Sequence, residues 1–299
     1  MVNSYRAQSL REALEIRQSK KVILLAGGTD LMVKRKNWSG VSPKFEQDVL
    51  FIGHLKELKR IEIDKNYLKI GSNCTLVEMA ESEIMPEYIK NILLNMASPA
   101  IRNIATIGGN ICNASPAADM LPILYAMNAK LILKNIDMER QLNIEDFIYA
   151  PGKNHLKENE LLKEIIIPLD HFDIVFHKKV GTRKATSLSK ASFIGLANIE
   201  NKNIKDIRIA FGSVAPTVIR DREIENNLKG LDQKGIEKNL LNIKDMYSKS
   251  ITPIDDQRSG KEYRKHVSLE LVENFLLNEI KWGALQSVRR NYTNFIIKE

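Results

Sequence analysis

Between Ile104 and Asp119 the chain reads Ile-Ala-Thr-Ile-Gly-Gly-Asn-Ile-Cys-Asn-Ala-Ser-Pro-Ala-Ala-Asp. The stretch holds paired Gly108-Gly109, small polar groups at Thr106, Asn110, Asn113 and Ser115, and one carboxylate, Asp119. A buried strand would show Val and Ile in a run or in alternation, and a surface helix an apolar stripe. This segment does neither, so its side chains are read as chosen for size and hydrogen bonding. Adjacent glycines let backbone approach a ligand closely and take φ > 0, and successive N–H groups in such a turn form a concave anion site. Residues 22–31, Val-Ile-Leu-Leu-Ala-Gly-Gly-Thr-Asp-Leu, repeat the theme. Four apolar residues predict a buried strand that runs into Gly27-Gly28-Thr29-Asp30, where backbone donors can meet a polyphosphate. Two such loops could hold a diphosphate from both sides.

Other chemistries lack their residues. The two cysteines, Cys74 and Cys112, are far apart with no C-x-x-C spacing, and the five histidines are scattered. An iron–sulfur or zinc site built by this chain alone is therefore excluded. There is no H-E-x-x-H pair, Gly-x-Ser-x-Gly elbow or G-x-x-x-x-G-K-[ST] loop, so no catalytic or metal-ligating residue is assigned and redox chemistry would need an organic cofactor. No apolar run approaches the roughly 18–20 residues of a membrane span, and the N-terminus lacks a secretory signal. The expectation is a soluble cytoplasmic protein. The net charge of +8 is spread among 37 acidic residues and reads as a solvated basic surface rather than a nucleic-acid footprint.

Taken in order, the periodicity predicts a helix over 9–19 with Leu10, Ala13, Leu14 and Arg17 on one face, then strands at 22–25 and 48–52, a βαβ-like unit. A hairpin follows at 61–63 and 67–70, and Thr75 with Glu78 has capping-box spacing. A helix over 86–96 carries Ile89, Ile92, Leu93 and Met96. Pro116 and Pro122 argue for irregular backbone to about 121 and a short helix over 122–128. Strands are expected at 130–134 and 161–168, with a loop at 147–152. Beyond 170 come strands at 172–180, 191–199 and 204–212. Helices follow over 232–247 and from Lys261 onward, the last with Tyr263, Val267, Leu271, Phe275 and Leu276 as its apolar stripe.

Three groups of residues carry a resemblance. They are Ala26-Gly27-Gly28-Thr29-Asp30-Leu31, Ile101-Arg102-Asn103-x-Ala105-Thr106-Ile107-Gly108-Gly109-Asn110, and Ser115-Pro116-Ala117-Ala118-Asp119. With Lys179-x-x-x-Arg183, Ala210-Phe211-Gly212-x-x-Ala215-Pro216-Thr217 and Ser259-x-x-x-Tyr263-Arg264, the chain resembles, nearly end to end, the FAD-binding subunit of molybdenum hydroxylases. That family contains xanthine, carbon monoxide and nicotinate dehydrogenases. The resemblance implies an α+β fold: a two-subdomain FAD-binding domain (PCMH-type) over 1–170, split at about 56/57, and a C-terminal α+β domain with an antiparallel sheet over 171–299.

It also implies that FAD is held by Leu25, Ala26, Gly27, Gly28, Thr29 and Asp30 and by Ala105, Thr106, Ile107, Gly108, Gly109 and Asn110 around the diphosphate. Asn113, Ser115 and Asp119 would meet the ribityl or ribose part, and Leu162 and Lys179 the flavin ring. The residues alone leave two alternatives: Lys179 in a solvated basic cluster with Lys178, Arg183 and Lys184, and Asp119 as a helix-start carboxylate. Where the family often continues Lys-Ala-x-Asp-Ile-Ala after the arginine, this chain has Lys184-Ala185-Thr186-Ser187-Leu188-Ser189, without the acid. The implied role is electron transfer from [2Fe–2S] clusters of a ferredoxin-like partner, in a complex with a molybdopterin subunit, through FAD to NAD⁺ or another acceptor. The alternatives are a flavin-free assembly subunit of the same fold and a self-contained FAD-dependent oxidase.

Overall fold

Short apolar strands alternate with short helices at the N-terminus, and the result is a parallel sheet. In the computed structural model, which describes residues 2–183 and 186–280, β1 (Ser4–Arg6), α1 (Leu10–Ser19), β2 (Val22–Leu25), α2 (Leu31–Lys34) and β3 (Asp48–Phe51) form this unit. The strands pair in parallel in the order β1-β3-β2. Ser9 caps α1 by accepting from the Glu12 N–H, and the helix buries Ala13, Leu14 and Arg17, three of the four residues expected on that face. Arg17 donates to the carbonyls of Val22, Lys157 and Glu160, which ties this unit to a distant loop.

The second unit is an antiparallel sheet with helices inserted between its strands. The expected hairpin is β4 (Ile61–Asp64) and β5 (Tyr67–Gly71). The expected capping box opens α3 (Leu76–Glu81). Next come α4 (Glu87–Leu94), α5 (Pro99–Arg102), α6 (Ile107–Cys112) and α7 (Leu121–Ala126). After β6 (Lys130–Lys134) and β7 (Glu139–Asn143), the one-turn α8 (Ile144–Phe147) leads into β8 (Ile148–Ala150), β9 (Lys153–Asn154) and β10 (Leu161–Pro168). The sheet order is β4-β5-β10-β6-β7. The loop expected at 147–152 is in large part a small hairpin, β8 with β9, turned by Gly152 at φ 70°.

The C-terminal unit is the antiparallel sheet of β11 (Ile174–Val180), β12 (Ala191–Glu200), β13 (Asn203–Gly212) and β14 (Ile219–Arg220), in that order. Helices α9 (Arg222–Leu228), α10 (Gln233–Ser250) and α11 (Lys261–Asn274) follow, and a π turn closes at Glu279. The fold is α+β. Lys184, Ala185 and residues 281–299, which the sequence reading drew into the basic cluster and the last domain, lie outside the described residues. The first three positions of the expected stripe are displaced by one, with Arg264, Ser268 and Val272 facing inward and Tyr263 exposed, whereas Phe275 and Leu276, just past α11, are buried as expected. Polar residues take the core face because each has a partner there. Arg264 pairs with Asp256 at 2.5 Å and donates to Ser213 O, and Ser268 Oγ donates to Arg264 O.

The C-terminal sheet is buried on both faces. Ile194, Leu196 and Ala210 join the core of the second unit, whereas Phe176, Phe193, Ile209 and Phe211 join the core under α10 and α11. Two arginines lock it onto the second unit. Arg220 Nη1 donates to Tyr125 O at 2.6 Å and Arg208 Nη1 to Ala126 O at 3.2 Å, which adds donors to the carbonyls at the end of α7, where Tyr125 O also accepts from the Asn128 N–H at 3.1 Å. Arg220 also forks onto buried Glu225 at 2.9 and 3.1 Å.

Replacing Arg220 by Met takes the guanidinium from the buried Glu225 carboxylate, which then accepts from the Ile209 N–H without a paired charge. It is expected to lower unfolding free energy by about 3–5 kcal/mol, measured by urea denaturation. Burial pushes the Cys74 thiol up to about 11. It should therefore resist a thiol reagent at pH 8 until the protein is unfolded.

Candidate functional site

The two glycine segments meet through their backbones. A Cβ on Gly27 would lie 2.0 Å from the carbonyl oxygen of Ile104 and 3.2 Å from the Cα of Ala105, so only glycine fits there. Gly108 makes a similar contact with Ser72, where a Cβ would come within 2.6 Å of the carbonyl oxygen. The reason for glycine at these positions is space and not handedness. Gly28 alone of the four has positive φ, at 72°.

The second segment differs from its expected form. Gly108 and Gly109 are helical residues in α6, which Thr106 caps by accepting from the Gly109 N–H at 3.1 Å. The other early amides of this helix are also engaged: Ile107 N–H donates to Cys74 O, Gly108 N–H to Ser72 O and Asn110 N–H to Thr106 O. The anion-binding turn anticipated at Gly108-Gly109 is therefore not built there, because the surrounding chain uses its donors. Open amides lie in the other loop. Among the described residues the backbone N–H groups of Gly27, Gly28, Thr29 and Asp30 meet no acceptor.

Side chains extend the junction. Lys34, one turn beyond the first loop, reaches Asp30 at 2.9 Å and Asn113 Oδ1 at 2.5 Å, so a cation bridges both segments. Gly109 is exposed, with only Thr106 Oγ1 near its missing Cβ. Asn110 Oδ1 is buried without a donor. Ser115 Oγ accepts from the Ala117 N–H at 3.3 Å in the irregular turns before α7, where the prolines placed them.

Asp119 lies where those turns face the C-terminal sheet. Its Oδ2 pairs with Lys179 Nζ at 2.7 Å, and its Oδ1 accepts from Ser189 Oγ at 2.5 Å. The side chains of Lys179 and Asp119 are 12% and 11% exposed, which overturns the solvated reading of Lys179. Nor does Asp119 cap α7: its oxygens turn to the other unit. Lys179 also lies 3.4 Å from Asn95 O.

The structure thus brings Leu25 to Asp30 together with Ala105 to Asn113, and joins Asp119 to Lys179. Leu162 is a core residue of β10, 5% exposed. Sequence reasoning missed Ser72, Lys34, Ser189 and Asn73. The last bridges the first two units by donating Nδ2 to Ile52 O at 2.6 Å. Nothing in their local sequence marks them, although Lys34 stands at i+4 from Asp30, a legible ion-pair spacing.

Residues 1–170 match the family described as FAD binding domain in molybdopterin dehydrogenase, and residues 178–278 match CO dehydrogenase flavoprotein C-terminal domain. The chain is 31% identical to the glyceraldehyde dehydrogenase medium chain of Sulfolobus acidocaldarius over 88% of its own length and 92% of that protein. It is 29% identical to the xanthine dehydrogenase FAD-binding subunit of Escherichia coli O157:H7, over 88% and 90%. In fold it superposes on a chain of CO dehydrogenase from Oligotropha carboxidovorans with TM-score 0.83 at 20% identity, covering 92% of this chain and 96% of that one.

Gly27→Ala is expected to force the two loops apart and to cost about 2–3 kcal/mol of stability. Gly109→Ala, facing outward in a helix, should change it by no more than about 1 kcal/mol. Thermal and urea unfolding of the two variants check the contrast.

Proposed function

Because this chain belongs to the family of FAD-binding domains in molybdopterin dehydrogenases, we propose that it is the electron-transfer subunit of a xanthine dehydrogenase-like molybdenum hydroxylase. Electrons would enter singly from [2Fe–2S] clusters of a ferredoxin-like partner, fed by a molybdopterin subunit, and leave as a pair to NAD⁺ or another acceptor. When bound, the flavin supplies the conversion between one- and two-electron transfer. The residues of this chain bind it, orient it and set the field around it.

The residues present fit such a group. The open amides of Gly27 to Asp30 and the Lys34 ammonium suit a diphosphate. Asn110, with an unpaired buried oxygen, and Asn113 and Ser115 suit sugar hydroxyls, which can donate to them. Leu25, Ala26, Ala105, Thr106, Ile107, Gly108 and Gly109 would form the backbone walls around the phosphates. Asp119 and Lys179 would flank the polar part of the cofactor and Leu162 its apolar side. None of these roles requires a general base on this chain.

The observation that carries the proposal is the contact of Gly27 with Ile104, which sets a loop with free donors against a second, rigid glycine segment. Titration of the purified chain with FAD tests it. The wild type should retain about one FAD per chain after desalting, whereas Gly109→Asp, which places an anion beside the diphosphate, should bind at least about tenfold more weakly with an unchanged circular dichroism spectrum. A wild type that neither carries nor takes up FAD overturns the reading. Anaerobic mixing of the reduced holoprotein with NAD⁺ identifies the acceptor: formation of NADH supports NAD⁺, and its absence assigns another oxidant.

A further inference from the structure

A cavity of about 180 Å³ lies where the C-terminal unit meets the second unit. Its walls come from four parts of the chain: the irregular turn before α7, the turn between β8 and β9, the residues just past β13, and the segment between α10 and α11 together with Arg264. Of the residues assigned to FAD above, only Ser115 lines it, so the cavity is not the junction of the glycine segments.

Two polar atoms of residues lining this cavity are buried without a partner. Arg264 is 3% exposed and Ser213 6%, and Arg264 Nε and Ser213 Oγ are shut off from solvent with no hydrogen bond. The rest of each residue is committed. Arg264 Nη1 donates to Ser213 O at 3.1 Å and Nη2 to Asp256 Oδ1 at 2.5 Å, while the Ser213 N–H donates to Pro116 O at 2.8 Å. These bonds hold the two unpartnered groups as neighbours. Buried polar groups in this condition are rare, and each calls for an explanation.

Their chemistry narrows what they meet. An arginine Nε–H donates only, so the partner it lacks is an acceptor. The charged residues lining the cavity are Arg258, Arg264 and Asp256, two positive and one negative, which leaves one positive charge. Asp256 does not stand against an anion, because Oδ1 is taken by Arg264 and Oδ2 by Arg258 at 2.6 Å. Away from these groups the lining is largely apolar, with Pro116, Pro151, Pro216, Pro253, Ala215 and Ile254. Water alone suits such a space poorly, since an ordered molecule needs two to four polar partners. An apolar cavity of about 150 Å³ takes up benzene, so the space here admits a body of that size.

We propose that this cavity binds a small organic carboxylate, whose oxygens accept from Arg264 Nε and Ser213 Oγ and whose compact apolar body lies against the prolines. A ligand there touches both units, so its binding strengthens the docking of one on the other. The assignment stands independently of the flavin reading.

Titration of the full chain with benzoate, its neutral counterpart benzamide and inorganic phosphate tests it, read by the NMR signal of the Arg264 Nε–H and by thermal unfolding. Benzoate should shift that resonance with a Kd of about 1 mM or tighter and raise Tm. Benzamide, which lacks the charge, should bind at least about tenfold more weakly, and phosphate, which lacks the apolar body, should leave the resonance unmoved at the same concentrations. Ser213→Ala should weaken benzoate at least about fivefold without lowering the Tm of the ligand-free chain, since the hydroxyl has no bond to lose. Ala215→Leu, which fills the cavity, should abolish binding. A resonance that benzoate does not move overturns the proposal and leaves water as the occupant. Phosphate binding as tightly as benzoate overturns it as an adventitious anion only. Benzoate affinity unchanged in both variants places the binding elsewhere and overturns it too. The wild-type NMR titration decides the matter even if a variant does not fold.

Discussion

The structure depends on a contact in which no side chain takes part. Gly27 lies against the carbonyl of Ile104 at a distance that leaves no room for a Cβ, and Gly108 lies against Ser72 in the same way. The first contact joins the parallel sheet of the first fifty residues to the antiparallel unit that follows, and the second sets α6 against the end of β5 within that unit. Backbone cannot approach backbone so closely across ordinary residues. Glycine at position 27 therefore sets how the first two units meet, and with it which atoms line their junction.

At that junction the two loops divide the work. The early amides of α6 are bonded to Cys74 O, Ser72 O, Thr106 Oγ1 and Thr106 O, which makes the segment a rigid wall. Among the described residues the Gly27–Asp30 amides meet no acceptor. A wall that kept its own donors open would have a less fixed backbone, because each buried amide needs a partner. Lys34 then spans the gap, with Asp30 on its own side and Asn113 on the other.

The third unit is held by charge at its edge and apolar burial at its centre. Arg208 and Arg220 bind the carbonyl end of α7, and the inner face of β12 and β13 fills the space beside it. This docking brings Lys179 and Ser189 onto Asp119. The carboxylate therefore belongs to neither unit alone: residues from 60 and 70 positions away complete its environment.

Much of this could be read from the chain by itself. Apolar runs located β2, β5, β6 and β10, the Thr75–Glu78 spacing marked the start of α3, and the prolines at 116 and 122 kept the Asp119 region irregular. These are local effects of propensity, capping and steric exclusion, which need no distant partner. The glycine pairs also marked where the two segments meet, but for a reason that proved incomplete. Whether a glycine serves φ, space or an open amide depends on what lies against it, and Ser72 and Ile104 are far from Gly108 and Gly27 in sequence. The inward turn of Arg264 and Ser268 on α11, the pairing of Asp119 with Lys179 and the isolation of Ser213 Oγ were likewise settled only by packing. A polar side chain can face a core wherever the folded chain supplies or withholds a partner, and that depends on residues brought together by the fold.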